Sequence, residues 1–242
     1  MNWEIIYIIS SVLILPVMIW AIVVSIQVEV VFNKYKKVDM GAGITARELV
    51  NKIAKENGLN ITVTTASGFL GDHYDPKHKV VALSRDNIDS GSIAALAVAA
   101  HECGHAMQDK EQYFPLKTRN FVISLSNFAS RLLLPLVIIG LVLSVLFYLD
   151  PSFVGIIMIA LCAVYGMSAL VGLITLPTEF DASRRAKKML DEMFITDDIT
   201  EKRGVRRVLS AAAQTYVASF AVSLLYFLRL LSYLYLVLGR RD

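Results

Sequence analysis

Long uncharged apolar runs alternate along this chain with mixed segments in which charge and hydrophobicity are interleaved. Ile5 to Ile26 carries no charge and is long enough to cross a hydrocarbon core of about 30 Å as a helix. Pro16 lies inside it and is tolerable in a membrane helix. A cleaved signal peptide fits poorly, because Met1-Asn2-Trp3-Glu4 has no basic flank and no small-residue cleavage site follows. Residues 1–30 therefore read as a retained transmembrane anchor. Leu132 to Leu149 and Phe153 to Leu176 are two further uncharged runs, separated by Asp150-Pro151. With the mixed stretch Leu116 to Arg131 before them, they predict a transmembrane helical hairpin over 117–176. A last apolar run, Tyr216 to Leu238, is interrupted by Arg229 and followed by Arg240-Arg241. Both features count against a simple span, so 216–242 is expected to be an apolar helix that either crosses the membrane or lies in its interface.

The segments between the apolar runs have the periodicities of a small folded unit. Thr45-Ala46-Arg47-Glu48 is a capping box, followed by an apolar stripe of Leu49, Val50 and Ile53 and a stop at Gly58. Ile61 to Thr65 alternates as a strand, and Phe69–Tyr74 with Lys79–Leu83 predicts a hairpin around Asp75-Pro76-Lys77-His78. Asn87 to Ser90 offers N-cap residues for a helix that runs to about Lys110. Thr196-Asp197-Asp198 is expected to cap a later helix whose Lys202, Arg203, Arg206 and Arg207 suit solvent or headgroups.

Composition agrees with the membrane pattern: 55% of the 242 residues are hydrophobic and mean hydropathy is +0.55, too apolar for an ordinary soluble domain. The net charge of +3 gives no case for nucleic acid. Lys34, Lys36 and Lys37 follow the first apolar run, and Arg184, Arg185, Lys187 and Lys188 follow the third. The positive-inside rule places both segments in the cytoplasm. Cys103 and Cys162 lie in segments that do not suggest a disulfide.

The candidate chemistry sits in His101-Glu102-Cys103-Gly104-His105. Histidines four apart on a helix share a face and can converge on one divalent metal, while the intervening glutamate can reach a bound water. Two imidazoles and a carboxylate suit one catalytic zinc ion with an open position. The predicted hairpin returns the chain to the compartment of His101 and His105. There Pro177-Thr178-Glu179-Phe180-Asp181 reads as a helix start rich in acids. Glu179 is the candidate third ligand. Asp181, two positions on, faces the other way and qualifies only if Glu179 does not. The plain structural alternative is that both acids favour a helix N-terminus through its dipole.

Taken together, Gly71-Asp72-His73-Tyr74-Asp75-Pro76, Ala97 to Ala106, Glu179-Phe180-Asp181-Ala182-Ser183-Arg184-Arg185-Ala186 and Ala211 to Ala218 resemble the YugP-like family of bacterial membrane-bound neutral zinc metallopeptidases. That family resembles the wider group of HtpX-like integral-membrane gluzincin proteases. The resemblance implies a mainly α membrane protein: transmembrane helices plus a small α+β zincin-like catalytic domain, formed by 31–116 and 177–215, with a short antiparallel sheet. It implies zinc on His101, His105 and Glu179, Glu102 as general base, and a protein or peptide substrate cleaved at the cytoplasmic face of a bacterial plasma membrane. Many gluzincins carry an aspartate four residues after the glutamate ligand, where this chain has Ser183. Tyr216, Tyr74 and His73 are candidate donors to a developing oxyanion, each with a structural role as the plainer alternative. By the same analogy a strand between Phe69 and Leu83 would align an extended peptide. The competing readings are a non-catalytic zinc-binding membrane regulator and a small transporter. Spans without charged residues speak against transport. A membrane-protein partner or a second copy of the chain is compatible with the pattern, and the sequence names no substrate.

Overall fold

Mixed and apolar segments turn out to share helices. The computed structural model describes residues 2–66, 71–147, 151–193 and 198–238. In chain order these form α1 (Trp3–Tyr35), α2 (Ala46–Glu56), β1 (Thr62–Ala66), β2 (His73–Asp75), β3 (Val80–Ser84), α3 (Arg85–Ile88), α4 (Ile93–Lys110), α5 (Phe114–Phe147), α6 (Pro151–Glu192) and α7 (Ile199–Leu238). Among the described residues, three helical stretches are long and apolar enough to cross a membrane: Trp3–Tyr35, Gly155–Glu192 and Ile199–Val237.

The continuity of α6 corrects one expectation. Pro177 was expected to open a helix, because proline suits the first helical position. It lies instead in the interior of α6, where it removes one hydrogen bond from the helical ladder. That costs about 3 kcal/mol in water and is better tolerated in apolar helices whose neighbours satisfy the freed carbonyl. Glu179 and Asp181 are therefore mid-helix residues, and attraction to a helix N-terminus does not explain them.

The chain divides into two compact units. One comprises Met1–Val23, Thr118–Thr175 and Tyr216–Asp242; the other comprises Val24–Lys117 and Leu176–Thr215. In the first, α6 and α7 pack closely. A Cβ at Gly166 would lie 2.8 Å from the Phe227 ring, and one at Gly172 would lie 3.0 Å from Phe220.

The second unit holds a continuous apolar core. Leu49, Val50 and Ile53 of α2, Val81 and Leu83 of β3, Leu96 and Cys103 of α4, Leu190 of α6 and Val205 of α7 are all buried in it. The capping box at Thr45 forms as expected, with Glu48 N–H donating to Thr45 Oγ1 at 3.3 Å and Thr45 N–H to Glu48 Oε2 at 2.8 Å. Gly58 ends that region at φ +58°, a left-handed conformation glycine adopts without strain. The sheet has the order β1-β3-β2. The β2–β3 hairpin is antiparallel, as expected, with Tyr74 opposite Val81. β1, however, runs parallel to β3, with Val63 opposite Val81. The sheet is thus mixed rather than antiparallel, because β2 and β1 lie on opposite sides of β3. Phe69 and Leu70, Asp150, Thr196 and Asp197, and Arg240 with Arg241 lie outside the described residues, and with them the expectations placed there.

Asp72 and Asp75 explain part of the Gly71 to Pro76 segment structurally. Asp72 accepts from Ser84 N–H at 2.7 Å and from Asn87 Nδ2 at 2.9 Å, which pins the start of the hairpin to the β3–α3 junction. Asp75 accepts from Lys77 N–H at 2.8 Å and pairs with His78 Nδ1 at 2.6 Å. Chiefly through the His78 contact, its carboxyl is lowered to about 2.

Removing the cap should cost stability without touching the site. Thr45→Ala is expected to destabilise the second unit by about 1 kcal/mol, read as a lowered thermal midpoint in detergent with zinc content unchanged.

Candidate metal centre

α4 is fixed at its start by polar contacts and along its length by small side chains. Ser92 caps it, accepting from Ala95 N–H at 3.3 Å, and Ile93 N–H donates to Val38 O at 2.9 Å. Its alanines allow close packing on several sides, and Ala94, Ala95, Ala97, Ala99 and Ala100 are fully buried. The closest approach is at Gly104, where α4 meets α6. A Cβ there would stand 2.6 Å from the Ala182 carbonyl oxygen and 3.1 Å from Ala182 Cα. No side chain larger than hydrogen fits without moving a helix.

That contact brings the predicted ligands together. His101, His105 and Glu179 each offer a donor atom, and the three atoms lie within 4.8 Å of one another. His101 Nε2 is 3.1 Å from Glu179 Oε2, and His105 Nε2 is 3.7 Å from Glu179 Oε1. A tetrahedral zinc with bonds near 2.05 Å places neighbouring donors about 3.3 Å apart. The two histidine–carboxylate spacings bracket that value, and two imidazoles with one carboxylate are a donor set that zinc accepts. Zinc fits the site.

The other face of each imidazole is also held. His101 Nδ1 lies 3.2 Å from Ser183 Oγ, so the residue four positions after Glu179 meets a histidine of the candidate centre. The hydroxyl can accept or donate there as the tautomer requires. His105 Nδ1–H donates to Gln108 Oε1 at 3.0 Å, which leaves Nε2 directed toward Glu179. Gln108 is itself fully buried. Its Nε2 donates to Thr178 O at 2.8 Å and to Asp181 Oδ2 at 3.0 Å. Asp181 in turn accepts from Arg185 Nε at 2.5 Å and pairs with Arg184, while Arg185 bridges to Glu111 at 2.8 Å. Asp181 thus faces away from Glu179, as the helical offset requires. Burial disfavours a His105 cation, but Glu179, Glu102 and Gln108 outweigh that effect and raise its proton affinity. The same surrounding negative charge would favour a metal dication.

Sequence reasoning missed Gln108. Its only signal was its position three residues after His105 on the same helix, which a search for ionisable residues passes over.

The remaining candidates are placed as follows. Glu102 is buried on α4 between the two histidines. His73 is exposed on β2 and its Nδ1–H donates to Gly71 O at 2.8 Å. Tyr74 points the other way and donates to Asp109 Oδ2 at 2.7 Å. Its burial, and then Asp109, push its phenol well above the usual range. Tyr216 lies on α7 in the apolar unit. Cys103 turns its side chain into the core, where burial, and then Glu102, raise its thiol well above the ordinary value. Both cysteines are free and buried.

Comparison with known proteins gives the chain a family. The family model described as "Putative neutral zinc metallopeptidase" matches residues 10–235. A curated relative from Bacillus subtilis (strain 168), called "Putative membrane protease YugP", is 41% identical over 213 residues, covering 87% of this chain and 88% of the relative. No solved structure matches the chain.

Two substitutions away from the donors should weaken metal binding. Gly104→Ala is expected to force α4 from α6 and abolish stoichiometric zinc, measured by elemental analysis of the purified protein. Gln108→Leu removes the acceptor on His105 and should lower zinc affinity about 10- to 100-fold, measured by competition with a chelator.

Proposed function

The chain belongs to the family described as "Putative neutral zinc metallopeptidase", and we propose that it is a membrane-bound endopeptidase of the gluzincin type, with one zinc ion held by His101, His105 and Glu179. The observation that carries the reading is the convergence of those three donors within 4.8 Å on two packed helices. The membrane placement is supported by three helices of membrane-crossing length and apolarity. It is supported further by the relative, which is called a membrane protease.

Zinc held there by His101, His105 and Glu179 would supply Lewis acidity to a water and to a substrate carbonyl. His101 and His105 would hold the ion through Nε2, and Ser183 and Gln108 hold their orientation through Nδ1. Glu179 supplies the negative ligand. Glu102 is the general base: it takes one proton from the water as its oxygen adds to the scissile carbonyl carbon. It then delivers that proton to the leaving nitrogen as the C–N bond breaks. The products are one carboxylic acid and one amine, so the balance needs no other reactant. His73 stands as the candidate donor to the oxyanion. Tyr74 would first have to give up Asp109.

The substrate is an extended stretch of protein. β2 is an edge strand, paired only with β3 among the described residues, and its free edge suits main-chain pairing with a peptide. Lys34, Lys36 and Lys37 at the end of α1, with Arg184, Arg185, Lys187 and Lys188 on α6, support a cytoplasmic orientation of the site in a bacterial plasma membrane.

Glu102→Gln separates catalysis from metal binding. It is expected to keep stoichiometric zinc by elemental analysis and to cleave an unfolded protein such as casein about 10²- to 10⁴-fold more slowly than the parent. Equal cleavage by both proteins would remove Glu102 from the role of base. His101→Ala should lose zinc and cleavage together.

A further inference from the structure

We propose that the cleft around Arg229 in the apolar unit binds the phosphate headgroup of an anionic membrane lipid. A cavity of about 360 Å³ opens there, lined by Tyr7 of α1, Leu161 and Tyr165 of α6, and Tyr226, Arg229 and Tyr233 of α7, among others. Its size lies in the range of small-ligand sites. An arginine within an apolar helix needs a counter-charge or water, and among the described residues no carboxylate pairs with Arg229. Its guanidinium stands 6.0 Å from the Tyr7 ring. That aromatic face attracts the cation without neutralising it.

The phenols around it are short of acceptors. Tyr226 donates to Met18 Sδ at 3.3 Å, a thioether and so a weak acceptor. Tyr165 stacks on Tyr226 with ring centroids 4.9 Å apart, and Tyr7 and Tyr233 stand 6.2 Å apart. None of the Tyr7, Tyr165 and Tyr233 hydroxyls makes a hydrogen bond among the described residues. A planar fork of donors amid several phenol hydroxyls is the complement of a phosphate with several acceptor oxygens.

Two features select a lipid over a soluble phosphate. The remaining wall includes Met158, Leu161 and Leu230, which suits an acyl chain rather than a hydrated ion. Tyr7 also lies three residues after the charged Glu4 that precedes the first apolar run, which sets that side of the cleft near headgroup depth. The inference rests on the reading that these helices cross a bilayer, and it is independent of the zinc chemistry.

Delipidated protein in detergent, mixed with equal amounts of chain-matched phosphatidylglycerol and phosphatidylcholine, gives the test by native mass spectrometry. One phosphatidylglycerol per chain is expected, preferred about tenfold, with the preference lost in Arg229→Gln while zinc content stays that of the parent. Equal retention of the two lipids by the parent, or an unchanged preference in Arg229→Gln, would overturn the proposal. Displacement of the lipid by inorganic phosphate alone would overturn it too, by reassigning the cleft to a soluble anion. If Arg229→Gln does not fold, Arg229→Lys keeps the charge but loses the fork. It should reduce the preference severalfold, and an unchanged preference there counts equally against the lipid site. Because zinc is read in the same samples, failure here is distinct from failure of the peptidase reading.

Discussion

The backbone contact between Gly104 and Ala182 governs the geometry of the site. Two histidines on one helix can point at a common centre by helical spacing alone, but they cannot supply the third donor. Glu179 arrives from a helix 78 residues away in sequence, and its reach is set by how closely α6 approaches α4. With hydrogen at position 104 the helices nearly touch, and the carboxylate comes within hydrogen-bond distance of His101 Nε2. Arg185, paired with both Asp181 and Glu111, clamps the same two helices beyond the end of α4. Apolar burial holds the unit together, yet the precision of the donor set comes from this close approach and the polar clamp beside it.

The polar layer behind the donors is as ordered as the donors themselves. Gln108 links His105 to the Thr178 carbonyl and to Asp181 through a single buried amide. A buried amide of this kind is stabilising only when its donors and acceptor are satisfied together, so its position also constrains the register of α6 against α4. Ser183 does the equivalent for His101 with a neutral group. One histidine is thus oriented by a hydroxyl. The other is connected through an amide to a carboxylate that two arginines already neutralise.

Much of this was legible in the sequence where the signal was local. The capping box at Thr45, the stop at Gly58, the β2–β3 hairpin and the end of α4 at Lys110 follow from propensities that act over a few residues. The cap of α4, by contrast, is Ser92 and not one of Asn87 to Ser90, because Arg85–Ile88 forms its own short turn of helix. The His101 and His105 pair was legible from helical spacing, and Glu179 from the apolar hairpin that returns the chain to the same side with an acid-rich segment. What escaped depended on tertiary context. Proline at 177 has the local signature of a helix start, and only the surrounding helix packing reverses it. The parallel pairing of β1 is decided by where the chain returns, which residue alternation does not encode. Gln108 is invisible to any search keyed on charge. Arg229, which reads as an obstacle to a membrane helix, lies against an aromatic ring and an open cleft that only the fold assembles.

The burial of Cys103 has a use of its own. Its neighbours in sequence are ligand candidates, but its sulfur faces the core of one unit, while Cys162 is buried in the other. A thiol reagent in water can reach neither until the packing around it opens. Where alkylation outpaces reclosing, the rate at which each cysteine reacts reports the opening of its own unit. The chain carries two built-in reporters, one for each half, with no label added.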